Sequence, residues 1–437
     1  MKQWLASLIL LVGMASAQTE ISFWHSMDGP AERVIAQFAS AFNASQRNYR
    51  VTPRLIGDYR EGETRLLAAL RAGGAPVLFQ AEILLFPRLV AEGVVLPLDE
   101  LTNTLPKAFT DDLFEAAWDY GLINNRRYGL PFNTSTPVLF FNENQLRAKG
   151  LKVPTNWREF EQAAKGLTSR TSKGFIALSE SWTFEAQVTS RGGNLVTADG
   201  RPNFTSREVV EALEFLQRLG REGSTSVRNL SESFFAQTDF IRTKGMMVMA
   251  SIANWPAAEN ASFAFKLGVA PIPRESNGKV PLGGAQLVVL RGASAEQQRG
   301  AFEFWRFLME PQNIKTWVEA SYYVPLRKSA TPLLEAFYRE NPYRKVAFEQ
   351  VAVAQPRPRV PQFAIWRNFL EEALEKALKG NVPARQALEE AQRKGGGGSG
   401  ALSFDCNCLG RAGYLPNGGA LCPFWYGSLW KAILPQR

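Results

Sequence analysis

The stretch "YGLPFNTSTPVLFFN", residues 128–142, interrupts the pattern of the residues before it and thereby decides the fold. Up to this point predicted strands and helices alternate, which is typical of a largely parallel α/β sheet. The stretch then places two prolines and the hydroxyl residues 134–136 before the apolar run Val138–Phe141. Because it breaks the alternation, we predict that the chain leaves one lobe here and enters another.

The alternation is clear from the first strand onward. A strand at Ile21–Phe23 precedes a helix that starts at Pro30 and carries apolar residues at a spacing of about 3.6. The other predicted elements are a strand at 49–55, a helix at 61–71 stopped by Gly73, a strand at 77–79 and a helix that ends at Gly93.

Downstream of residue 142 the sequence predicts a second α/β lobe. Helices are predicted at 155–167, capped by Thr155, and at 206–223, and a buried strand at 244–251. Two more extended stretches, residues 266–290 and 320–329, are similar to the first crossing. Three crossings between two lobes predict a hinged pair with a cleft, with hinges near 132–137, 274–281 and 323–327.

We therefore expect four segments. Residues 1–17 are a signal peptide, 18–131 with 281–323 form the N-terminal lobe, 132–280 with 324–394 form the C-terminal lobe, and 395–437 are a Gly-rich tail. Lys2, the apolar run Trp4–Val12 and the small residues 15–17 follow the order of a secretory signal. The run is about nine residues, short against the roughly 20 that span a bilayer. We predict cleavage before Gln18 and a periplasmic location.

The tail differs from the rest in composition. It begins with "GGGGSG", a flexible spacer composition, and contains all three cysteines, Cys406, Cys408 and Cys422. A linker, a frameshifted end and a natural extension are all compatible with it. Three thiolates without a nearby histidine do not make a structural zinc site, so we predict no metal.

Charge excludes one class of partner. The formal net charge is +9, but the sequence has no dense run of Lys or Arg. A basic surface without such a run favours small anions over nucleic acid.

The end of the first strand carries the first candidate residues. Trp24, the single histidine His25 and Ser26 follow Phe23, and ligands of open α/β sheets lie outside the carboxyl ends of strands. His25 suggests a general base, but the sequence lacks GxSxG, HExxH and any other nucleophile motif. We expect a binding protein and not an enzyme.

Several blocks, in this order, resemble one family: "FWHSMDG" (23–29), "GDY" (57–59), "APVLFQ" (75–80), "PFNTSTPVLFFN" (131–142), "MASIAN" (249–254), "GGAQL" (283–287) and "YVPLR" (323–327). They are similar to the extracellular solute-binding proteins of ABC importers, and within these to the glycerol-3-phosphate-binding proteins. The resemblance covers roughly residues 20–394. It implies a periplasmic-binding-protein-like α/β fold that closes over a phosphorylated glycerol compound and presents it to membrane permease subunits. We expect a monomer without cofactor.

The resemblance also implies ligand contacts at matching positions. They are Tyr59, Ser135, Trp182, Ser251, Gly284, Tyr323 and Arg367, with Glu82 as a further candidate for the glycerol hydroxyls. Trp24, His25 and Trp255 are secondary candidates.

Three positions depart from the family pattern. The acidic residue of the family pattern corresponds to Ile83 in this chain. Glu82 is one residue earlier, and a shift of one residue places a side chain on the opposite face of a strand. Ser179 replaces one of two paired tryptophans. The arginine of the family pattern corresponds to Arg367 when positions are counted back from the helix "FLEEALEKALKG". It corresponds to Ala364 when positions are counted forward from Pro361.

The free energy of ligand binding requires contacts from both lobes. Micromolar binding needs roughly 8 kcal/mol, while a charged hydrogen bond contributes about 1.5 to 3 kcal/mol. Arg367, whose guanidinium fork matches phosphate oxygens, is therefore insufficient alone. Two alternatives stay open: a receptor for a neutral oligosaccharide, which the many tryptophans favour, and a secreted hydrolase using His25.

Overall fold

The computed structural model describes residues 18–229, 232–261 and 264–397. The predicted signal peptide and its cleavage site, and the tail from residue 398 with its cysteines, lie outside these residues. The strands are β1 Thr19–His25, β2 Tyr49–Leu55, β3 Leu78–Glu82, β4 Leu122–Ile123, β5 Arg126–Arg127, β6 Leu130–Ser135, β7 Pro137–Asn142, β8 Phe175–Ser179, β9 Thr225–Asn229, β10 Met247–Ser251, β11 Leu267–Pro271, β12 Val280–Pro281, β13 Gly283–Val289 and β14 Ala354–Gln355.

Helices cover both sheets. The α-helices are α1 Gly29–Ser45, α2 Tyr59–Ala72, α3 Leu85–Ala91, α4 Asp99–Thr102, α5 Lys107–Asp112, α6 Glu115–Tyr120, α7 Glu143–Ala148, α8 Trp157–Leu167, α9 Ser181–Thr189, α10 Arg207–Arg221, α11 Ser233–Ile241, α12 Trp255–Ala261, α13 Ala295–Leu308, α14 Pro311–Ser321, α15 Glu335–Glu340, α16 Val346–Gln350, α17 Phe363–Leu378 and α18 Ala384–Gly396. Short 3-10 turns lie at Ile252–Asn254, Lys328–Ala330, Pro332–Leu334, Pro342–Lys345 and Val351–Val353. Within the described residues, none of the helices has the length and apolar character needed to span a membrane.

Two five-stranded sheets define the two lobes. The first has the order β2-β1-β3-β13-β6 and the second β11-β7-β10-β8-β9. Each contains two parallel and two antiparallel strand pairings. The prediction of a largely parallel sheet is therefore wrong for one strand in each sheet, β13 and β7, which enters from the other lobe and runs antiparallel to both of its neighbours.

The chain passes between the sheets where the first crossing was predicted. Only Thr136 separates β6 of the first sheet from β7 of the second, and residues 272–282 carry the chain back to β13. The Gln350 side chain joins these two crossings, since it donates to the Pro137 carbonyl (2.9 Å) and accepts from the Ile272 amide (3.1 Å). A third stretch is tied to the first where the Val324 amide donates to the Thr134 carbonyl (2.9 Å).

Tyr322 and Tyr323 anchor the third stretch in opposite directions. Tyr322 adopts a left-handed backbone (φ 60°) and packs in the core of the second lobe, against Trp255. Tyr323 packs in the core of the first lobe, stacked on Trp317 at 5.8 Å between ring centroids. Leu326, Ala330, Leu334 and Tyr338 pack in the first-lobe core. The lobe limits given in the sequence analysis remain a prediction.

Local sequence accounts for several element boundaries. The helix predicted at 206–223 is α10, which buries the apolar stripe of its amphipathic face and ends before Gly223 at φ 75°. The cap of α8 is Asn156, whose side chain accepts from the Glu159 amide, and not Thr155, which instead donates to the Glu159 carboxylate. The last helix extends to Gly396, beyond the predicted start of the tail.

Gly284 is the position where the fold most clearly requires glycine. Its φ is 121°, a value that L-residues rarely adopt, and a Cβ would lie 1.9 Å from the Asn133 carbonyl oxygen of the adjacent strand. The neighbouring Gly283 allows close approach of a different kind, because a Cβ there would lie 2.5 Å from the Trp182 ring.

We predict that Gly284→Ala lowers the free energy of unfolding by about 2 kcal/mol or more, because strain and overlap with a rigid backbone add. Urea titration followed by circular dichroism measures this. Gly220→Ala in α10 is the control, since a Cβ there meets nothing within 4 Å, and it should stabilise by up to about 1 kcal/mol. Equal stabilities of the two variants would contradict the argument.

Candidate functional site

The candidate site lies where strands of the first sheet end against the second lobe. Four polar side chains form its centre: Tyr59 at the start of α2, Gln80 on β3, Asn133 on β6 and Tyr323. The Tyr59 hydroxyl accepts from Asn133 Nδ2 (3.1 Å) and Gln80 Nε2 (3.4 Å), and Gln80 also donates to Asn133 Oδ1 (2.9 Å). We call these four residues the tyrosine–amide cluster.

The cluster is neutral; Gln80, Asn133 and Tyr323 are buried and Tyr59 is partly buried. Burial raises the pKa of the Tyr323 hydroxyl to about 12, although hydrogen bonds with Tyr59 and Asn133 act in the opposite direction. Burial also raises the pKa of Tyr59 well above its ordinary value. Both phenols therefore keep their protons at neutral pH and offer hydroxyl groups to a polar ligand.

The loop after β1 is attached to the same cluster. The Ser26 amide donates to Gln80 Oε1 (2.8 Å), and the Met27 amide donates to His25 Nδ1 (3.3 Å). His25 is buried, and its ring lies 5.4 Å from that of Phe23. Trp24 points to the other face of the strand, where Arg54 lies over its ring at 5.4 Å.

A second group of candidates surrounds the first crossing. Ser135 is buried at the end of β6, and the Trp182 ring and Ser135 Oγ both lie against Gly283. Trp182 stands in the first turn of α9, which Glu180 caps by accepting from the Trp182 and Thr183 amides. The buried Trp182 Nε1 donor has no hydrogen-bond partner among the described residues.

Buried charges form the third part of the site. Arg367 on α17 is 5% exposed, and it donates to Glu82 Oε2 through Nη1 and to Glu63 Oε2 through Nη2, both at 2.9 Å. Helix α17 packs on α9 and α10 of the second lobe, whereas Glu82 and Glu63 belong to β3 and α2 of the first. The Arg367 guanidinium therefore joins the two lobes.

A second arginine shares the Glu82 carboxylate. Arg357, in the segment after β14, donates from Nε to Glu185 Oε2 (2.8 Å), and its Nη1 lies 3.4 Å from Glu82 Oε1. Acids and bases then alternate outward through Arg88, which contacts both Glu63 (2.9 Å) and Glu92 (2.8 Å). We call this row the charge chain; its members are Glu185, Arg357, Glu82, Arg367, Glu63, Arg88 and Glu92.

Burial and pairing act against each other along the charge chain. Burial raises the pKa of the Glu185 carboxyl despite the nearby Arg357. Next to the charge chain, burial and the charge of Glu371 raise the pKa of the Glu180 carboxyl, although the hydrogen bond from the Thr183 amide lowers it. Burial alone would lower the pKa of Arg357, but the charges of Glu185 and Glu82 outweigh it and the pKa rises. Arg357 therefore stays charged, as a buried guanidinium with paired carboxylates should.

The structure thus brings together most of the sequence-predicted residues. Tyr59 and Tyr323 share the tyrosine–amide cluster, Ser135, Trp182 and Gly284 surround the first crossing, and Glu82 contacts Arg367. Glu82 is 8% exposed and faces the arginines, whereas Ile83 packs in the apolar core.

Besides Trp24, two predicted residues lie apart from these groups. Ser251 ends β10 opposite Pro137, where its Oγ accepts from the Ala253 amide (3.2 Å). Trp255 is 1% exposed in the core of the second lobe, and its Nε1 donates to Glu259 (2.7 Å).

Sequence reasoning missed Gln80, Asn133, Glu63, Glu185 and Arg357. Gln80 and Glu82 alternate along one strand, as do Asn133 and Ser135, so the period of two could have indicated both amides. Glu185 follows Trp182 by three residues on a helix, and Glu63 follows Tyr59 by four, which are same-face spacings. Arg357 stands between prolines, where no period applies.

A polar, partly charged site between two lobes joined by crossing strands defines a ligand-binding protein that encloses its ligand. The chain belongs to the bacterial extracellular solute-binding proteins, a family whose profile matches residues 37–345. Within the described residues, the structure contains no cluster of His, Cys, Asp and Glu side chains suited to a metal ion.

Individual relatives and structures agree with this membership. The chain is 27% identical over 420 residues to the sn-glycerol-3-phosphate-binding periplasmic protein UgpB of Escherichia coli K12, covering 90% of this chain and 95% of that protein. Its fold is similar to that of Mycobacterium tuberculosis UgpB in complex with glycerophosphocholine (TM-score 0.77, 21% identity, 86% and 97% of the two chains). It is equally similar to the GacH receptor of Streptomyces glaucescens, solved without ligand and with acarbose (TM-score 0.78, 20% identity, 87% and 99%).

We predict that His25 makes stability depend on pH. Burial lowers the pKa of its imidazole from 6.5 to about 4. The unfolded chain therefore binds a proton that the folded protein excludes, so stability is full above about pH 6.5 and is lost as pH falls toward 4. The loss is at most about 3 kcal/mol.

Urea unfolding of the wild type and of His25→Gln between pH 4 and 7 tests this. Carboxyls with raised pKa values, Glu180 and Glu185, change stability in the opposite direction, but they contribute to both proteins alike. The difference between the two proteins should therefore shrink as pH falls. A difference that is constant over this range would show that the imidazole is not excluded from protonation.

Proposed function

We propose that this chain is the substrate-binding component of an ABC importer, that it binds glycerol-3-phosphate or a glycerophosphodiester, and that lobe closure delivers the ligand to the permease. One observation carries the ligand class: the Arg367 guanidinium lies buried between the lobes, beside candidate hydrogen-bonding residues that suit a polyol. Buried arginines at a ligand site favour oxyanions such as phosphate, because the planar guanidinium fork matches two of the oxygens.

The parts of the site suit the two halves of such a ligand. The tyrosine–amide cluster supplies hydroxyl and amide groups for a glycerol moiety, and the Trp182 ring supplies a flat apolar face. Arg367 would direct an N–H toward the phosphate, since its Nε has no hydrogen-bond partner in the described part of the chain. Ser135 and the backbone near Gly284 are proposed to complete the contacts, with Ser251 on the second lobe.

The relatives support the same ligand class. The Escherichia coli protein is named for binding sn-glycerol-3-phosphate, and the Mycobacterium tuberculosis structure contains glycerophosphocholine. Both are ligands with a glycerol group on a phosphate, and we transfer this common part to the present chain as the proposal.

Closure would follow from contacts that both lobes make. Arg60 on α2 already joins the lobes, since it donates to Glu371 (2.7 Å) and Asn368 (2.7 Å) on α17. A ligand held by residues of both lobes adds contacts that exist only in the closed form, and this difference in energy shifts the population toward closure. The hinges proposed for this motion remain those near 132–137, 274–281 and 323–327.

Binding without chemical change is part of the proposal. The family consists of solute-binding proteins, and the buried His25 ring, with Nδ1 engaged by the Met27 amide, is poorly placed to accept a substrate proton. We propose that the protein acts as a periplasmic monomer whose partner is the permease.

A neutral oligosaccharide is the second candidate ligand. One observation favours it: both terminal nitrogens of Arg367 are already paired with carboxylates, so a phosphate must compete with Glu82 or Glu63. The GacH receptor, which has the same fold, was solved with acarbose.

We expect isothermal titration calorimetry to detect binding of sn-glycerol-3-phosphate or glycerophosphocholine, and no heat with maltose. Micromolar affinity corresponds to about 8 kcal/mol, which several converging contacts can supply. The ligand recovered from the complex should be unaltered by phosphorus NMR. Binding of maltose without phosphoesters would favour the oligosaccharide candidate, and a cleavage product that His25→Ala abolishes would favour a hydrolase.

We predict that Arg367→Met weakens phosphoester binding by about 2 to 3 kcal/mol, because a charged hydrogen bond and its fork are lost. The fold should survive, since Glu82 keeps Arg357 and Glu63 keeps Arg88 as partners. Calorimetry gives the affinity and circular dichroism the integrity of the fold. Arg385→Met, at an exposed site on α18, is the control, and a folded Arg367→Met protein with wild-type affinity would contradict the assignment.

A further inference from the structure

Two guanidinium groups, and not one, meet at the Glu82 carboxylate. Arg357 Nη1 approaches Glu82 Oε1 at 3.4 Å, and Arg367 Nη1 donates to Glu82 Oε2 at 2.9 Å. The two arginines are 4% and 5% exposed. A single carboxylate at the carboxyl end of β3 thus holds both cations at the edge of the sheet where ligands of α/β folds bind.

Both arginines keep buried N–H groups that no acceptor in the described chain satisfies. Arg367 Nε has no hydrogen-bond partner, and neither has Arg357 Nη2, which lies 2.8 Å from Glu185 Oε2 without the alignment of a hydrogen bond. The Trp182 Nε1 donor, one helical turn before Glu185 on α9, is also unpartnered. Buried donors of this kind cost free energy unless an acceptor reaches them.

Arg357 and Arg367 are held in different ways, since Glu185 Oε2 lies 2.8 Å from both Nε and Nη2 of Arg357. Its aligned contact is the Nε bond to Glu185 at 2.8 Å, since the Glu82 contact is long. Arg367 instead has two contacts of 2.9 Å, one from each terminal nitrogen. One carboxylate, that of Glu185, therefore dominates the pairing of Arg357, whereas two carboxylates share Arg367.

We propose that Arg357 is a second arginine of the anion-binding site, which binds the phosphate of the ligand together with Arg367, and that Glu185 restrains it. This inference rests on the phosphoester ligand proposed above. Arg357 donates terminal N–H groups to phosphate oxygens, and Glu185 competes with the phosphate for the same guanidinium. Two positive groups fixed on either side of one carboxylate favour an anionic ester over a neutral polyol.

Because Glu185 competes with the phosphate for Arg357, the direction in which a Glu185 variant changes phosphoester affinity shows whether Arg357 binds the ligand or only stabilises the fold. Glu185→Gln keeps the shape of the side chain and removes the competing charge, so phosphoester affinity should rise several-fold. If Arg357 only supported the fold, weakening its ion pair would leave affinity unchanged or lower it. The comparison is made by calorimetry with sn-glycerol-3-phosphate and with glycerophosphocholine.

The double variant isolates Arg357. Arg357→Gln alone leaves Glu185 buried without its partner, which destabilises a fold, whereas Arg357→Gln with Glu185→Gln removes both charges. We expect the double variant to bind both phosphoesters roughly tenfold or more weakly than Glu185→Gln, since these proteins differ only at residue 357 and a charged hydrogen bond is lost. Equal affinities of the two would overturn the assignment.

Arg191 provides the matched control. It also lies in the second lobe with an unpartnered Nη2, but it stacks on Trp157 at 3.7 Å and donates to the Gln187 carbonyl (2.7 Å) instead of contacting Glu82. Arg191→Gln should bind phosphoesters with wild-type affinity. A loss there as large as at residue 357 would show that the effect is general to buried arginines and would overturn the inference.

The wild-type titration separates the two proposals. A wild type that binds neither phosphoester overturns the proposed function, and the role of Arg357 with it. A wild type that binds, with Glu185→Gln no tighter and the double variant no weaker than Glu185→Gln, overturns the role of Arg357 alone.

Discussion

The Glu82 carboxylate, held between Arg357 and Arg367, is the interaction on which the arrangement of the cleft depends. Glu82 belongs to β3 of the first lobe, and Arg367 belongs to α17 of the second. Buried charges persist only when they are paired, so each member of the charge chain fixes the position of the next. The lobes are joined by this chain as well as by the crossing strands, and the anion proposed to bind here competes with its carboxylates.

The crossing segments provide the covalent connection between the same two lobes. Gln350 binds the first crossing to the second, and Tyr322 and Tyr323 fill the cores of opposite lobes from adjacent positions. The left-handed backbone of Tyr322 is costly for a residue with a side chain, and packing on both sides holds it. The side chains proposed to bind the ligand and the segments proposed to permit closure thus meet at one edge.

Strand periodicity explains how much of the candidate site could be predicted. Glu82 and Ser135 were identified from the sequence, and each has a polar neighbour two positions earlier, Gln80 and Asn133, on the same face. The tyrosine–amide cluster was therefore within reach of sequence reasoning. Arg357 was not, because a proline-flanked arginine carries no period, and only the packing of its segment against α9 gives it a partner.

The sequence by itself determined the α/β class, the first crossing at residues 128–142 and the positions of several strands and helices, because periodicity, caps and turn residues act over a few neighbouring positions. Only the tertiary structure decided that the sheets are mixed, that Glu82 and not Ile83 faces the arginines, and that Arg367 reaches Glu82 across 285 positions of sequence. Such contacts depend on how distant segments pack, and a local pattern does not contain that information.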